Sequence, residues 1–276
     1  MNDIQKCILS IFKEVSGICE ENGITYFAIG GTCIGAVRHK GFIPWDDDLD
    51  IAVPIEQFDK LKNILKSSLP EHLKVYECDS VQHYHYIFMK VHDTRTTFIQ
   101  NTLKKYPDAY LGIFIDIMPI SGVPEDPDER ARFIRKIKLD RIFNNVRRFP
   151  LGDQNSKQGK LASAILKLPL AGFDFNHFSS RYMDLLRRYP FFAAKHVGYV
   201  WSPQNIKRWI FPGEWFAETV MLPFEDTEIR CPRHYHEYLT QQFGEYMIPP
   251  PPEAQRPRHD GYVDPERPYS EFCGSK

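Results

Sequence analysis

Segments with helical spacing alternate with short apolar segments through the first 120 residues, and no other feature of the chain restricts its fold as strongly. Apolar residues recur at helical spacing over residues 4–18, which predicts a first helix, and Pro54 is predicted to open a second. Such alternation is typical of helices packed on a sheet. The sequence therefore predicts a mixed α/β (α+β) fold, with strands over residues 24–29, 49–53, 75–78, 86–91, 96–99 and 112–119.

The second half of the chain is predicted to be helical and irregular. A long helix is expected over about residues 124–148, acidic at its start and basic towards its end, which suits the helix dipole. Shorter helices are predicted over residues 161–168 and 176–188, and irregular structure over the last twenty or so residues. We therefore predict a core over residues 1–122 and a mainly helical and irregular region over residues 123–276 that packs on it.

Composition excludes several classes of protein. The chain has 276 residues, of which 42% are apolar, so it can bury a core. Its formal charge of -1 gives no overall field that would attract nucleic acid, and no nucleic-acid partner is expected. The N-terminus lacks the basic and apolar parts of a secretory signal, and the six cysteines lack C-x-x-C spacing. We therefore expect a cytoplasmic protein with reduced thiols.

The first motif is a pair of adjacent glycines, Gly30-Gly31, which follows a predicted strand and precedes Thr32. Adjacent glycines let a backbone turn approach a phosphate because no Cβ is in the way. The helix expected after them would point its first N–H groups at the same place, where they favour an anion. The pattern therefore predicts a turn that binds phosphate.

The second motif is a run of aspartates, Asp46, Asp47, Asp48 and Asp50, that leads directly into an apolar strand. Alternate residues of a strand face the same side, so we expect Asp47 on one face and the other three on the opposite face. Asp48 and Asp50 can hold a hard cation, with Asp46 as a candidate outer ligand and substrate phosphate oxygens completing the shell. A solvated acidic turn is the alternative, but apolar residues flank Asp50, where an unpaired charge is costly.

An isolated aspartate, Asp116, lies between Ile115 and Ile117 in another apolar segment. A buried carboxylate needs a partner. A salt bridge to a lysine or arginine is one way to supply it. The other is an active site shared with the aspartate run, in which Asp116 binds the metal or acts as general base. The residue and its neighbours leave both alternatives open.

Together these motifs resemble a known pattern. Nucleotidyltransferase-fold enzymes carry two small residues after the first strand, then a strand of two aspartates alternating with apolar residues, then a further carboxylate on a later strand. The stretch from Gly30 to Ile51 is also similar to the signature of the LicD family. That family comprises phosphocholine and related phospho-alcohol transferases of bacterial surface glycans, with fukutin-type ribitol-phosphate transferases as distant relatives. Weaker similar blocks follow in the same order, so the resemblance spans about residues 24–252.

The resemblance implies a fold and a reaction. It implies a nucleotidyltransferase-like mixed sheet flanked by helices. The implied reaction is metal-dependent transfer of a phospho-alcohol from a CDP-alcohol to a hydroxyl of a glycan or glycolipid, such as lipopolysaccharide, teichoic acid or capsule, with release of CMP. Asp48, Asp50 and Asp116 would then be the catalytic residues and the ligands of Mg²⁺ or Mn²⁺, with Asp46 as a further candidate ligand.

The resemblance also implies that basic residues lie near the site. The Arg38 guanidinium can hold a diphosphate through paired hydrogen bonds, whereas a solvated basic turn is the alternative for Arg38, His39 and Lys40. Lys90 lies on an alternating strand, where it faces either a phosphate or the edge of the core. The residues predicted to bind substrate are Gly30, Gly31, Thr32, Arg38, His39, Lys40 and Lys90.

Two other functions stay open. An NTP-dependent nucleotidyltransferase would use the same carboxylates, and a non-catalytic module that binds glycan or nucleotide would keep the fold. The basic helix over residues 130–148 and the apolar segment over 161–173 are candidates for peripheral contact with the inner face of a membrane, although a solvated helical face is the default interpretation. The sequence specifies neither the alcohol, nor the acceptor sugar, nor the oligomeric state.

Overall fold

The structure is a computed structural model that describes residues 1–149, 161, 165, 169–199 and 206–273. Within these residues the helices are α1 (Asp3–Glu21), α2 (Gly30–Ile34), α3 (Ile55–Ser68), α4 (Pro127–Arg148), α5 (His177–Arg187) and α6 (Tyr235–Phe243). The strands are β1 (Phe27–Ala28), β2 (Asp50–Pro54), β3 (Leu73–Tyr76), β4 (Met89–Asp93), β5 (Thr97–Gln100), β6 (Phe114–Gly122), β7 (His196–Gly198), β8 (Ile210–Pro212), β9 (Thr219–Phe224), β10 (Thr227–Pro232) and β11 (Gly261–Asp264). None of the described helices has the length and apolar character needed to cross a membrane.

The N-terminal helix α1 follows its predicted pattern. A reciprocal capping box starts it, because Oδ1 of Asn2 accepts from Gln5 N–H at 2.8 Å and Oε1 of Gln5 accepts from Asn2 N–H at 3.2 Å. The Gln5 amide Nε2 also donates to the carbonyl oxygens of Ile43 and Asp46, at 3.2 and 3.0 Å. The buried residue Gln5 therefore fixes both the start of α1 and the loop that carries the aspartate run.

The central sheet is mixed, as the sequence predicted. Five strands lie in the order β1-β2-β6-β4-β3, and β7 pairs with the end of β6 and with β8. The pair β2–β6 is parallel, whereas β1–β2, β4–β6 and β3–β4 are antiparallel. All nine residues of β6 are buried, which places Asp116 in the middle of the sheet. The mixed α/β fold is therefore confirmed.

Several predicted boundaries differ from the structure. β2 begins at Asp50, so the first three aspartates of the run precede the strand and do not alternate across it. The C-terminal residues are not all irregular, since β11 pairs antiparallel with β5. The predicted helix over residues 161–168 falls mostly outside the described residues.

The region after residue 122 contributes to the sheet and to the core. β7 and β8 extend the sheet beyond the end of β6, and α6 packs against α2. The main hydrophobic cluster contains buried residues from both regions, such as Phe27 of β1 and Phe216 from the C-terminal region, whose rings lie 5.3 Å apart. The division at residue 122 stays a prediction.

Candidate active site

Two residues expected to be catalytic, Asp50 and Asp116, and one expected to bind substrate, Lys90, form a row across three neighbouring strands. The parallel pair β2–β6 aligns Asp50 with Asp116, and the antiparallel pair β4–β6 aligns Lys90 with Asp116. Paired residues on neighbouring strands project from the same face, with their Cβ atoms about 5 Å apart. Lys90 Nζ forms a buried ion pair with Oδ1 of Asp116. The sheet register thus brings two carboxylates and one ammonium group together.

The glycine pair makes room for the carboxylates. Gly30 has a φ of 57°, and a Cβ built on it would lie 3.7 Å from Oδ2 of Asp50. A Cβ on Gly31 would lie only 2.7 Å from Oδ2 of Asp46, which real side chains do not tolerate. Thr32 Oγ1 accepts a hydrogen bond from Asp50 N–H at 2.8 Å, which fixes the start of β2. The motif Gly30-Gly31-Thr32 therefore holds the aspartates in place at the cavity.

A cavity of about 560 Å³ is lined by both motifs. Six of the predicted site residues line it: Gly30, Gly31, Asp48, Asp50, Lys90 and Asp116. A second cavity of about 280 Å³ lies between α3 and α5 and contains none of the predicted site residues. The larger cavity is therefore the candidate active site.

The carboxylates of this cavity repel one another. Burial and the Asp48 charge raise the pKa of Asp46 to about 8. Burial raises the pKa of Asp48 against the opposing effect of His259, and the Asp116 charge adds to the rise. Burial and the charges of Asp48 and Asp116 raise the pKa of Asp50 well above its ordinary value. The folded protein therefore has to hold protons or a cation at this place.

Lys90 offsets part of the negative charge. Its side chain is 1% exposed and its Nζ lies 3.5 Å from the ring centroid of Phe114. Burial lowers the pKa of Lys90, and the Asp116 carboxylate opposes this by favouring the ammonium form. One ammonium group faces the carboxylates of Asp48, Asp50 and Asp116, whose oxygens are the ligands that a hard divalent cation prefers.

Asp47 anchors the C-terminal segment to the site. Its two carboxylate oxygens accept the backbone N–H groups of Arg258 and His259, at 3.1 and 3.2 Å. The expectation that Asp47 faces away from the other aspartates was wrong, because strand alternation does not apply before β2 begins. Asp47 is 7% exposed and lies beside the cavity that Arg258 and His259 line.

The His259 imidazole lies close to the carboxylates of Asp47 and Asp48. Among the described residues, the ligand atoms of Asp47, Asp48 and His259 all lie within 4.8 Å of one another, so this group could hold a metal ion. The imidazole Nδ1 lies 3.3 Å from Oδ1 of Asp47 and 3.9 Å from Oδ2 of Asp48. Burial lowers the pKa of His259, but the hydrogen bond with Asp47 and the Asp48 charge outweigh it, so the net pKa is raised. A protonated imidazole has no lone pair for a metal, and the cluster then acts as an ion pair.

Comparison with known proteins identifies the N-terminal domain and a relative that is similar over most of the chain. Residues 23–126 match the family model of the LicD/FKTN/FKRP nucleotidyltransferase domain. The chain is also 29% identical over 262 residues to the lipopolysaccharide cholinephosphotransferase LicD of Haemophilus influenzae, which covers 94% of this chain and 96% of that protein. Residues 23–126 therefore form a nucleotidyltransferase domain of the LicD type.

More distant members of the LicD family share only the motif region. The ribitol 5-phosphate transferases FKRP of mouse and human are 39% identical to the chain over 54 residues, which is 18% of this chain and 11% of theirs. The family resemblance seen in the sequence is therefore confirmed, and the chain is an enzyme, a phosphotransferase of the LicD type.

Three of the basic residues predicted from the LicD resemblance, Arg38, His39 and Lys40, do not line the cavity. The Arg38 guanidinium donates to the carbonyl of Tyr246 at 2.6 Å and to Nε2 of His39 at 2.9 Å. Lys40 has a left-handed φ of 56°, and its carbonyl accepts Glu225 N–H at 2.8 Å. Lys90 lines the cavity, whereas Arg38, His39 and Lys40 do not. The part of these three residues in substrate binding stays a prediction.

Sequence reasoning missed the wall of the cavity that the C-terminal region supplies. These residues are Tyr199, Arg208, Trp209, Gln242, Phe243, Arg258 and His259. The signal for His259 was present, because the short apolar pair Tyr262-Val263 after it forms part of β11 and pairs with β5. No comparable local pattern marks Gln242, which lies near the end of an ordinary amphipathic helix.

Proposed function

We propose that the chain transfers phosphocholine, or a closely related phospho-alcohol, from a CDP-alcohol to a hydroxyl of a lipopolysaccharide-type glycan and releases CMP. The observation that carries the proposal is the in-register row of Asp50, Asp116 and Lys90 in a cavity of a chain that matches a lipopolysaccharide cholinephosphotransferase over almost its whole length. In phosphoryl transfer of this kind, the protein mainly positions the reacting groups and neutralises their charge.

Asp48 and Asp50 are the residues that would hold Mg²⁺ or Mn²⁺, with Asp46 near them. The pKa values of Asp48 and Asp50 are raised, so a bound cation would stabilise the charged forms of both side chains. Carboxylate oxygens are also the ligands that such hard cations prefer. When bound, the cation supplies charge neutralisation for the diphosphate of the donor. Gly31 leaves room for the Asp46 carboxylate, which keeps the cluster compact.

In this proposal Asp116 accepts the proton of the acceptor hydroxyl. The glycan hydroxyl oxygen attacks the phosphorus that bears the alcohol, and the bond from that phosphorus to the bridging oxygen of CMP breaks. The hydroxyl proton passes to Asp116, whose Oδ1 is held by Lys90 and whose other oxygen then accepts it. Lys90 also keeps Asp116 oriented, since the ion pair is buried and rigidly packed against Phe114.

The aromatic residues of the cavity support a cationic alcohol. Tyr86, Phe88, Tyr199, Trp209 and Phe243 line the same cavity as the carboxylates. Aromatic faces attract quaternary ammonium groups, because the electron-rich ring face interacts with the spread positive charge. A trimethylammonium group would therefore find more favourable surroundings here than a neutral polyol such as ribitol.

The products of the reaction test this proposal. The full chain is incubated with Mg²⁺, CDP-choline and a lipopolysaccharide acceptor, and CMP is measured together with the mass of the acceptor. We expect CMP release that depends on the acceptor and a mass gain of one phosphocholine. Parallel reactions with CDP-ribitol and CDP-ethanolamine rank the alcohols. Release of pyrophosphate from an NTP, without CMP from any CDP-alcohol, would overturn the proposal in favour of nucleotidyl transfer.

Contact with the inner face of a membrane is part of the same proposal. Leu139 and Ile142 of α4 and Leu161 and Ile165 nearby in the sequence are all exposed, by 41 to 64%. An acceptor that carries lipid would bring the enzyme to a membrane, where such apolar side chains are stabilised. Flotation of the chain with anionic liposomes tests this, and absence from the lipid fraction would contradict it.

A further inference from the structure

A chain of hydrogen bonds connects the glycine turn to helix α6. The N–H of Gly30 donates to the Tyr238 hydroxyl oxygen at 2.8 Å, and the hydroxyls of Tyr238 and Tyr199 lie 2.5 Å apart. The Tyr199 hydroxyl donates to Oε1 of Gln242 at 2.9 Å. Each hydroxyl has a single hydrogen, so the Tyr238 hydroxyl donates to Tyr199. The donor and acceptor of each hydrogen bond in this series are therefore fixed. The last acceptor is the Gln242 carbonyl oxygen.

This arrangement determines which way the Gln242 carboxamide points. Its oxygen is occupied by Tyr199, which leaves the Nε2 hydrogens for another partner. Gln242 is 5% exposed, and within the described residues its Nε2 is buried without a hydrogen-bond partner. Leaving a buried amide donor unsatisfied costs about 1–3 kcal/mol, so native proteins rarely keep one without a use.

The surroundings of Gln242 identify the kind of partner. The residue lines the cavity that also contains the glycine turn and the carboxylates. Arg208 and Arg258 line the same cavity, and among the described residues no ion pair is formed by either guanidinium. An N–H donor near two guanidinium groups suits an oxygen acceptor that is negatively charged or strongly polarised.

We propose that Gln242 is a substrate-binding residue whose Nε2 donates to an oxygen of the CDP-alcohol, and that Tyr199 and Tyr238 are positioning residues that fix its orientation. This inference rests on the proposed function, since it takes the CDP-alcohol as donor. The acceptor atom is either a phosphate oxygen or the cytosine carbonyl oxygen, both of which present lone pairs to an amide. The tyrosines also couple this contact to the glycine turn, because movement of Gly30 would disturb the whole chain of hydrogen bonds.

Binding of CDP-choline measured by calorimetry in the presence of Mg²⁺ tests the proposal. Gln242→Glu keeps the shape and the acceptor for Tyr199 but replaces the donor with a second oxygen. We expect its dissociation constant to rise about 10- to 100-fold, the range for a hydrogen bond to a charged group. Gln242→Leu, which adds no charge, is expected to weaken binding by a similar or smaller factor. Tyr199→Phe is expected to weaken binding less, with the melting temperature measured alongside.

The matched control is Gln241→Glu, the same change one residue earlier in α6. Gln241 Nε2 donates to the carbonyl of Ile210 at 2.7 Å and does not line the cavity, so its variant is expected to bind CDP-choline like the unaltered chain. Cytidine and phosphocholine as separate ligands locate the acceptor: weaker binding of cytidine by the Gln242 variants indicates the cytosine carbonyl, and weaker binding of CDP-choline with unchanged binding of cytidine indicates a phosphate oxygen.

The outcomes separate this inference from the proposed function. If the unaltered chain binds CDP-choline and neither folded Gln242 variant differs from Gln241→Glu, the role of Gln242 is refuted and the proposed function stands. If the unaltered chain binds no CDP-alcohol, both are refuted. Weaker binding by both Gln242 variants, with the control unchanged, supports both.

Discussion

The two walls of the cavity are stabilised in opposite ways. The sheet wall is defined as Asp48, Asp50, Asp116 and Lys90. The C-terminal wall is defined as Tyr199, Gln242, Arg258 and His259. Burial and neighbouring negative charges raise the pKa values of Asp48 and Asp50 in the sheet wall, so these carboxylates destabilise it until a cation binds. The C-terminal wall is tied down by hydrogen bonds, among them those from Arg258 and His259 to Asp47.

This difference indicates that catalysis and stability depend on different residues of the cavity. Neutral substitutions of Asp48 or Asp50 in the sheet wall should abolish turnover and leave the fold intact or more stable, because they relieve repulsion between carboxylates. Changes in the C-terminal wall should weaken binding of the donor and loosen the segment around His259. Substitutions on each wall therefore test the difference between the two walls.

The largest effect is expected from Asp50→Asn. The amide keeps the shape of the side chain but cannot replace the charge that a cation requires, so kcat/KM for CMP release should fall by at least about a thousandfold. Because burial and neighbouring carboxylates raise the pKa of Asp50, the neutral variant should melt at the same or a higher temperature in EDTA. Activity and thermal unfolding are measured on the same samples.

Asp226→Asn is the control for that substitution. Asp226 is exposed and pairs with Lys13 on the surface, where an ion pair contributes little to stability. Its variant should retain full activity. An Asp50→Asn enzyme with near-normal turnover would contradict the role of the sheet wall.

The next largest effect is expected from Lys90→Met. Removal of one partner from a buried ion pair leaves Asp116 uncompensated and typically costs about 3–5 kcal/mol of stability. Activity should fall by about a hundredfold, because Asp116 then loses the ion pair that orients it. Chemical denaturation measures the free energy of unfolding, and CMP release measures the activity.

Combining Lys90→Met with Asp116→Asn sharpens this test. The double variant should recover most of the lost stability, since the uncompensated charge is gone, but none of the activity. The exposed Lys6→Met variant, which breaks a surface pair with Asp3, serves as control and should change neither quantity. Additive losses of stability in the double variant would show that Lys90 and Asp116 do not act as a pair.

A smaller effect is expected from His259→Gln on the C-terminal wall. Glutamine can still donate to Asp47 but carries no positive charge, so binding of the diphosphate donor should weaken by about tenfold. The KM for CDP-choline should rise while kcat changes less. His234→Gln, at an exposed position directly before α6, should leave KM unchanged. A fall in kcat alone would place His259 in the chemical step instead of in binding.

The smallest effect is a dependence of cation binding on pH. The pKa of Asp46 is about 8 in the folded protein and about 4 in the unfolded chain. Between these values the folded chain binds more protons, so without cation its free energy of unfolding falls as pH rises from about 4 to about 8. A cation displaces these protons, so its affinity rises over the same range. The increase in melting temperature caused by Mg²⁺ should be larger at about pH 8 than at about pH 6, and the reverse order would contradict it.

The two walls also differ in how far they could be predicted from the sequence. The sequence marked Asp50 and Asp116 of the sheet wall, because each interrupts an apolar strand where an unpaired charge is costly, but it left open whether Asp116 forms a salt bridge or belongs to the site. The mixed fold followed from the same segments. What the sequence did not show was the register that aligns Asp50, Asp116 and Lys90, since pairing depends on contacts between distant segments.

The C-terminal wall was missed because its residues have no local pattern. Tyr199, Gln242 and His259 meet the glycine turn and the aspartates only through long-range packing, over separations of up to 212 residues between His259 and Asp47. Asp47 was misplaced because strand alternation was applied to residues 46–48, which precede β2. Outside a strand, successive side chains need not point to opposite faces.

A crystal structure of the chain with Mn²⁺ and CDP-choline is the most direct test of the central claim that Asp48 and Asp50 bind the cation that holds the donor. We expect an anomalous difference peak in contact with carboxylate oxygens of Asp48 and Asp50, with diphosphate oxygens completing its coordination shell. A peak bound instead by Asp47 and the His259 imidazole, or CDP-choline bound in the cavity with no manganese near Asp48 and Asp50, would contradict the claim.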